Sequence, residues 1–182
     1  MSNLKEPQYL LENLIQQEDF INSFVKILQN AKSYGNRIWL AGNGGSASIS
    51  SHFMADLLAL GFDAFCMNDN ISRITAITND FSWELAYVEQ LSNFKAYDVL
   101  ILISVHGGGN ETENWSQNLL LAAIEARKKG GKILSLVGSN GGRLKELSDI
   151  YILVPSENSG YVEGLHSLLT HIICERLKEV PE

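Results

Sequence analysis

Five short apolar segments, separated by stretches with helical periodicity, are the feature that most constrains how this chain can fold. The apolar segments lie at 38–41, 64–67, 99–104, 133–137 and 151–154. Uninterrupted apolar strands that alternate with helices are typical of a parallel β-sheet with both faces covered. The pattern therefore predicts an α/β fold built on a parallel sheet.

Helical periodicity fills the intervals between these segments. Apolar residues spaced three, four or seven apart from Leu10 onward predict one amphipathic helix that ends near Lys32, or two helices broken near Asp19. Further helices are predicted at 46–60, 72–94, 115–129, 143–147 and 161–178. The leading helical segment precedes the first strand.

Length and composition indicate one globular domain. The chain has 182 residues, of which 45% are hydrophobic, and no apolar run approaches the ~20 residues of a membrane span. We expect a single domain over 1–182, with an N-terminal helical segment at about 7–33 and an α/β core at about 36–180. The first thirty residues lack the basic and apolar blocks of a secretory signal, so a cytoplasmic location is expected.

Charge and cysteine content exclude some classes of function. The net charge is −7 without a basic stripe, whereas nucleic-acid-binding proteins hold phosphate backbones with clustered Lys and Arg. Neither nucleic acid nor a membrane is therefore expected as a partner. Cys66 and Cys174 lie too far apart in the sequence for a CxxC metal site, and we expect two buried thiols.

The first predicted strand leads directly into a glycine-rich loop, Gly42-Asn43-Gly44-Gly45-Ser46, and then into a helix. Glycines let a ligand approach the backbone closely, and the unpaired N–H groups of a helix N-terminus bind phosphate. The spacing also matches the dinucleotide-binding motif, which has an acidic residue at the end of the second strand. Here Asp63 precedes the second strand and Asp69 lies a little beyond its end, so the acidic residue of the motif is missing. An anionic ligand is expected here, with a dinucleotide as an alternative.

A second glycine-rich loop follows the third predicted strand, at 104–110. It offers the hydroxyl of Ser104 and the imidazole of His106, which either contacts a substrate oxygen or is simply exposed. Ligands of doubly wound sheets bind beyond the carboxyl ends of the strands, so both loops are expected at one rim. The dipeptide Asn79-Asp80 is a third candidate loop.

Two predicted helices carry potential metal ligands. His52 and Asp56 are four residues apart, a spacing suited to two Zn²⁺ ligands, to a base with its orienting partner, or to a surface pair. On the last helix, helical periodicity places Glu163, His166 and His171 outside the apolar face, so none is expected to be buried. Glu163 and His171 are separated by a rise of about 12 Å, so both reach one site only if the helix bends or starts later, or if they come from different subunits.

These motifs together resemble the sugar isomerase (SIS) domain family, and within it the phosphoheptose isomerases. The matching motifs lie in order over nearly the whole chain, at 42–46, 52–57, 78–81, 103–104, 138–142 and 163–171. The resemblance implies a three-layer α/β/α, flavodoxin-like fold with a five-stranded parallel sheet and an extra N-terminal helix. It also implies a homotetramer with active sites between subunits, which would explain how Glu163 and His171 reach one site. The implied activity converts sedoheptulose 7-phosphate to D-glycero-D-manno-heptose 7-phosphate, for surface polysaccharide synthesis.

The resemblance further implies site residues at matching positions. The substrate-binding positions are Asn43, Gly44, Ser46, Asn79, Asp80, Ser104, Val105, His106, Gly109 and Glu163. The metal positions are His52, Asp56, Glu163 and His171, with Zn²⁺ as the expected metal. Asp56 and His171 are also the expected catalytic pair.

The chain departs from the family pattern at both carboxylates and in the second loop. The family usually has Glu at the Asp56 position and Gln at the Glu163 position, and hydroxyl-bearing residues where this chain has Val105, His106 and Gly109. Because Asp is one methylene shorter, the base must be brought closer by the backbone or act through water. The changed loop is consistent with a different sugar phosphate, or with glycine N–H groups that replace hydroxyls as phosphate donors.

Other functions remain open at this point. One is a non-catalytic SIS protein that binds a sugar phosphate or a protein partner, and another is an isomerase of hexose or amino-sugar phosphates. The presence of both Asp56 and His171 favours an enzyme, because non-catalytic relatives tend to lose the carboxylate. Isomerisation requires a base that moves a proton between C1 and C2, an acid that shuttles protons between the oxygens, and stabilisation of the enediolate. Asp56 or His171 is the expected base, and the other residue is the expected shuttle.

Overall fold

The computed structural model describes residues 4–110 and 112–179 and centres on a parallel sheet of five strands in the order β2-β1-β3-β4-β5. The strands are β1 (Ile38–Gly42), β2 (Ala64–Cys66), β3 (Val99–Ser104), β4 (Lys132–Gly138) and β5 (Ile150–Val154). Each predicted strand is confirmed to within one residue at either end. The strand order is that of the flavodoxin-like folds, as predicted.

Helices connect the strands and cover both faces of the sheet. They are α1 (Lys5–Ile15), α2 (Glu18–Tyr34), α3 (Gly45–Ala59), α4 (Ile71–Asp80), α5 (Gln117–Lys128), α6 (Gly142–Leu147) and α7 (Ser159–Lys178). The leading segment is two helices, broken at Gln16 and Gln17, which is one of the two predicted forms. The predicted helices 46–60, 115–129, 143–147 and 161–178 are confirmed to within two residues at either end.

The prediction of one helix over 72–94 is wrong. Helix α4 ends at Asp80, and Phe81 and Ser82 leave the helical region, the latter in an extended conformation with φ −168° and ψ 166°. Two short 3₁₀ turns follow, at Trp83–Leu85 and Glu89–Asn93. Asn, Asp and Ser compete for backbone hydrogen bonds, which is why a run of these residue types favours a helix end.

The strands bury side chains on both faces of the sheet. Ile38 and Leu40 of β1 pack in a cluster with α1, α2, α3 and α7, whereas Trp39 and Ala41 pack on the opposite face with α5, α6 and the 3₁₀ turns. This alternation follows from the two-residue period of a β-strand. The two apolar clusters make up the predicted three-layer α/β/α arrangement.

The edge strand β5 is covered by the N-terminal helical segment. Gln17 donates from Nε2 to the Leu153 carbonyl at 2.7 Å, and its Oε1 accepts from the Leu153 N–H at 2.9 Å. A side-chain amide thereby makes the two hydrogen bonds that a neighbouring peptide group would make. Ser156, just after β5, donates to Glu6 of α1 at 2.6 Å. The first two helices are therefore bonded to the sheet.

Within the described ranges, no helix combines the length and the apolar character that crossing a membrane requires. The predicted domain over 1–182 includes 1–3, 111 and 180–182, which lie outside the described residues, and its bounds stay a prediction.

Candidate functional site

The first glycine-rich loop turns tightly from β1 into α3. Gly44 adopts φ 58° and ψ −127°, a conformation that is essentially restricted to glycine. A Cβ atom at Gly42 would lie 2.5 Å from the carbonyl oxygen of Ser46, so the chain also has no room for a side chain there. The N–H groups of Ser46 and Ala47 donate within the turn. The N–H groups at the very start of α3 therefore remain as the natural donors for an anion.

Three side chains that the sequence did not single out hold this loop in place: Asn68, Tyr87 and Asn118. Asn68 accepts from the Gly42 N–H at 3.0 Å and donates to the Gly42 carbonyl at 2.8 Å. The Tyr87 hydroxyl lies 2.8 Å from the same carbonyl oxygen and 3.2 Å from Oδ1 of Asn43. Burial raises the pKa of Tyr87 to about 12, so its hydroxyl stays protonated. Among these residues, only Asn68, just after the second apolar segment, lay where a sequence signal could have been found.

The first glycine-rich loop also contacts the start of α5, the helix that follows the second glycine-rich loop. The side-chain amides of Asn43 and Asn118 exchange hydrogen bonds of 2.9 and 3.0 Å, and Asn43 also donates to Oγ of Ser116 at 3.2 Å. Strands β1 and β3 are adjacent and parallel, so both loops leave the same edge of the sheet. The prediction of one shared rim is confirmed. This rim is also the topological switch point, because the chain passes from β1 to β2 on one side and then to β3 on the other.

Hydrogen bonds within the second loop use two of its glycine N–H groups. Gly107 donates to Oγ of Ser104 at 3.0 Å, and Gly109 donates to the His106 carbonyl at 2.9 Å. Ser104 accepts in this bond and therefore keeps its own hydroxyl proton to donate. Roles of Val105 and Gly109 in substrate binding stay predictions.

Asn79 and Asp80 do not form a loop between helices. They are the last two residues of α4, both exposed, and Asn79 donates to Oδ1 of Asp80 at 2.9 Å. Among the described residues, neither side chain makes a hydrogen bond to a glycine-rich loop. Their contact with a substrate stays a prediction.

Helices α3 and α7 pack together and bring His52, Asp56 and His171 into one cluster. Oδ2 of Asp56 lies 3.5 Å from Nε2 of His52 and 3.5 Å from Nδ1 of His171. The two imidazole rings meet edge to face, with centroids 5.2 Å apart. The three potential ligand atoms all lie within 4.8 Å of one another. The sequence spacing had related only the first two of these residues.

Glu163 lies apart from this cluster. Helix α7 runs unbroken from Ser159 to Lys178, so Glu163 and His171 are separated along its axis by about 12 Å. The Glu163 carboxylate instead lies over Gly45 at the start of α3, where it would overlap a Cβ atom at that position. Within one chain, the four predicted metal ligands therefore divide into a group of three and a carboxylate beside the first loop.

The group of three fits a divalent metal. Ligand atoms bound to Zn²⁺ at about 2.0–2.2 Å in a tetrahedron lie about 3.4 Å apart, close to the two 3.5 Å separations between the imidazole nitrogens and Oδ2 of Asp56. Catalytic zinc sites have three protein ligands and can expand from four to five ligands in all. Cys174 lies near Asp56, but burial raises the pKa of its thiol to about 12, and the Asp56 charge adds to this shift. The thiol is therefore protonated at pH 7 in the metal-free chain.

The prediction that His166 is not buried is wrong. The imidazole is fully buried, and neither ring nitrogen has a hydrogen-bond partner in the described structure. Val162, His166, Leu169 and Ile173 follow one another at helical spacing and form the face of α7 that enters the core. Burial lowers the pKa of His166 to about 4, so it is neutral at pH 7.

No protein-family model matches the chain. Curated relatives do: the chain is 34% identical over 181 residues to the phosphoheptose isomerase of Helicobacter pylori (strain P12), which covers 94% of this chain and 90% of the relative. It is 35% identical over 162 residues to the phosphoheptose isomerase of a Nitratiruptor species, with 85% and 81% covered. The solved structure of a phosphoheptose isomerase from Francisella tularensis has a TM-score of 0.82 at 26% identity, over 99% of this chain and 100% of that one. The chain therefore belongs to the phosphoheptose isomerases, sugar phosphate isomerases built on the SIS domain.

Proposed function

We propose that this protein interconverts sedoheptulose 7-phosphate and D-glycero-D-manno-heptose 7-phosphate in the cytoplasm, for the synthesis of heptose-containing surface polysaccharide. The observation that carries the proposal is the cluster in which one Asp56 oxygen lies 3.5 Å from a nitrogen of His52 and of His171. A carboxylate and imidazoles in contact can exchange protons with adjacent carbons and oxygens of a bound sugar.

The phosphate group binds in this proposal at the rim shared by the two glycine-rich loops. The N-terminus of α3 supplies N–H groups and the positive end of its dipole, and Ser104 supplies a hydroxyl proton. Asn43, which is bonded to both Ser116 and Asn118, ties the first loop to the start of α5. Asp56 lies eleven residues after Gly45 along α3, a rise of about 16 Å, so the sugar chain extends from the rim of one subunit towards the acid and base groups of a neighbouring subunit.

The catalytic groups are Asp56 and His171. One of them removes a proton from C1 or C2 and returns it to the neighbouring carbon, and the other moves a proton between the two oxygens. Asp56 uses Oδ2 towards the two imidazoles, which leaves Oδ1 as its second proton-accepting atom.

A divalent metal, Zn²⁺ in this proposal, would be held by His52, Asp56 and His171, with Glu163 of a neighbouring subunit as a further ligand. When bound, it polarises the sugar oxygens as a Lewis acid. A carboxylate at position 163 brings a full negative charge and therefore favours a cation more than the amide of Gln would.

The site is completed by other copies of the chain, in a homotetramer. The side chains of His52 and His171 are 61% and 52% exposed in the single chain, whereas isomerisation through an enediolate requires a site from which water is excluded. An open groove of about 910 Å³ lies beside His171, lined by residues of α2 and α7. A neighbouring subunit that covers this groove would both shield the cluster and supply Glu163.

The decisive experiment measures turnover of sedoheptulose 7-phosphate by the full chain and by His171→Gln. We expect turnover by the wild type, loss of it after treatment with EDTA and recovery on addition of Zn²⁺. His171→Gln should lower kcat by about 100-fold or more, because a proton-transferring group is removed, while its circular dichroism spectrum stays unchanged.

Two outcomes would contradict the proposal in different ways. Turnover of a hexose or amino-sugar phosphate in place of the heptose phosphate would assign another substrate. No turnover of any C6 or C7 sugar phosphate, together with tight binding of one of them, would assign a non-catalytic sugar phosphate sensor.

A further inference from the structure

His106 of the second glycine-rich loop forms an aromatic pair with Trp115, which precedes α5. The imidazole of His106 packs against the indole of Trp115, with ring centroids 4.4 Å apart and planes inclined by 55°. Trp115 is nevertheless 47% exposed. A large apolar ring that is fixed by a neighbour but half open to solvent offers a face to a ligand.

The second glycine-rich loop, which carries His106, is held rigidly at its centre. Gly107, Gly108 and Gly109 all have positive φ, at 58°, 85° and 69°. The loop backbone is bonded to α6: the Leu144 N–H donates to the Gly107 carbonyl at 2.8 Å, and the Arg143 N–H donates to the Gly109 carbonyl at 3.1 Å. The imidazole that supports Trp115 is therefore attached to a segment with little freedom to move.

The position of Trp115 is fixed with respect to the first loop as well. Ser116, the next residue, has φ 49° and ψ 40° and accepts a hydrogen bond of 3.2 Å from Asn43. Because Asn43 belongs to the loop at the start of α3, Trp115 lies one residue from the contact between the first loop and the start of α5. Trp115 thus stands at the rim where the phosphate group is proposed to bind.

We infer that Trp115, supported by His106, is a specificity-determining residue that packs against the carbon chain of a sugar phosphate at the rim of the two glycine-rich loops. This inference rests on the proposed function. The face of an indole does not attract a phosphate anion but covers C–H groups of a sugar, and the imidazole nitrogens of His106 are polar enough to bond a hydroxyl. Trp115 therefore selects the sugar and leaves the phosphate to the backbone N–H groups and Ser104.

The first experiment compares Trp115→Ala and Trp115→Phe in the full chain. We expect Trp115→Ala to raise KM for sedoheptulose 7-phosphate by about tenfold with kcat changed less than about threefold, and Trp115→Phe to recover most of this loss because it keeps an aromatic face. The affinity for inorganic phosphate, measured by calorimetry, should be the same in both variants and the wild type. A merely structural role would weaken phosphate binding together with sugar phosphate binding, so that result would overturn the inference, as would an unchanged KM in Trp115→Ala.

The second experiment reads binding without turnover. Trp39 is buried and Trp83 is the other half-exposed indole, so Trp83→Phe is the matched control for intrinsic fluorescence. Titration with sedoheptulose 7-phosphate and with fructose 6-phosphate should change the emission of the wild type and of Trp83→Phe, but not that of Trp115→Phe. A change that persists in Trp115→Phe would overturn the inference.

The two experiments also separate this inference from the proposed function. If sugar phosphates change the Trp115 emission but are not turned over, the isomerase assignment fails and the inference stands. If turnover is normal and KM is insensitive to Trp115→Ala, the inference alone fails. No turnover and no fluorescence response to either sugar phosphate would overturn both.

Discussion

The buried imidazole of His166 makes the stability of this protein depend on pH. Its pKa is lowered from 6.5 to about 4 because burial penalises the charged form. The unfolded chain therefore binds a proton on this residue below about pH 6.5, while the folded chain does not until about pH 4. Folding is consequently opposed by protonation in this window and unaffected by it above pH 7.

The prediction is that the free energy of unfolding falls by about 2 kcal/mol more between pH 7 and pH 5 in the wild type than in His166→Met. Urea unfolding of both proteins at the two pH values measures this difference. Met has no titratable group and a similar volume, so the comparison cancels the contribution of other residues. Equal pH dependence in the two proteins would show that His166 is not protonated on unfolding.

Single residues also show where sequence reasoning reached its limit at the site. His52 and Asp56 could be paired from their spacing alone, because a helix fixes the direction of residues four apart. The approach of His171 to Asp56 depends on how α3 packs against α7, and only the family resemblance indicated it. Asn68 could have been noticed because it follows the second apolar segment, but its hydrogen bonds to Gly42 span 26 positions and that of Asn118 to Asn43 spans 75, and no local pattern encodes such contacts.

At the scale of elements, the second glycine-rich loop is specified by close backbone packing as well as by conformation. Gly107 has φ 58°, and a Cβ atom there would overlap the carbonyl of Gly141. Gly35 has a similar φ of 69° at the end of α2, but a Cβ atom there would meet nothing within 4 Å. The two positions therefore differ in their surroundings and not in their backbone strain.

We expect Gly107→Ala to be destabilised by clearly more than Gly35→Ala, which should lose only about 1–2 kcal/mol from the left-handed conformation. The additional loss in Gly107→Ala should come with a raised KM, since the loop that carries His106 must shift. Thermal unfolding and steady-state kinetics of the two variants measure both effects. Similar melting temperatures and KM values for the pair would mean that the loop tolerates movement.

Elements were predictable from the sequence where a period was sustained. The five strands were placed to within one residue because both faces of the sheet are buried and each strand is continuously apolar. The segment 72–94 failed because Tyr87 and Leu91, which enter the core, keep helical spacing across a region that is actually two 3₁₀ turns. Periodicity reports which residues are buried and does not detect the break after Asp80.

At the scale of the whole molecule, the separation between Glu163 and His171 leads to a test of the proposed site between subunits. If a working site takes Glu163 from one subunit and His171 from another, a mixture of Glu163→Ala and His171→Gln chains should regain activity. Random association leaves both residues native in about one site in four, so co-refolded mixtures should reach about a quarter of the wild-type specific activity. Each variant refolded alone is the control.

An activity of the mixture equal to the mean of the two separate variants would contradict a shared site. In that case Glu163 and His171 would serve one subunit, and α7 would have to supply both residues to a site longer than about 12 Å.

The hydrogen bonds of Gln17 to β5 affect how readily the protein aggregates. A strand at the border of a sheet offers unsatisfied peptide groups on which a foreign strand can dock, and this is how ordered aggregates grow. By occupying both peptide groups of Leu153 in β5 with one amide, the protein blocks part of that border without adding a sixth strand. We therefore expect replacement of Gln17 to cause a slow gain of turbidity on storage more than unfolding. Folded molecules would then expose unpaired peptide groups of β5, on which other molecules can dock.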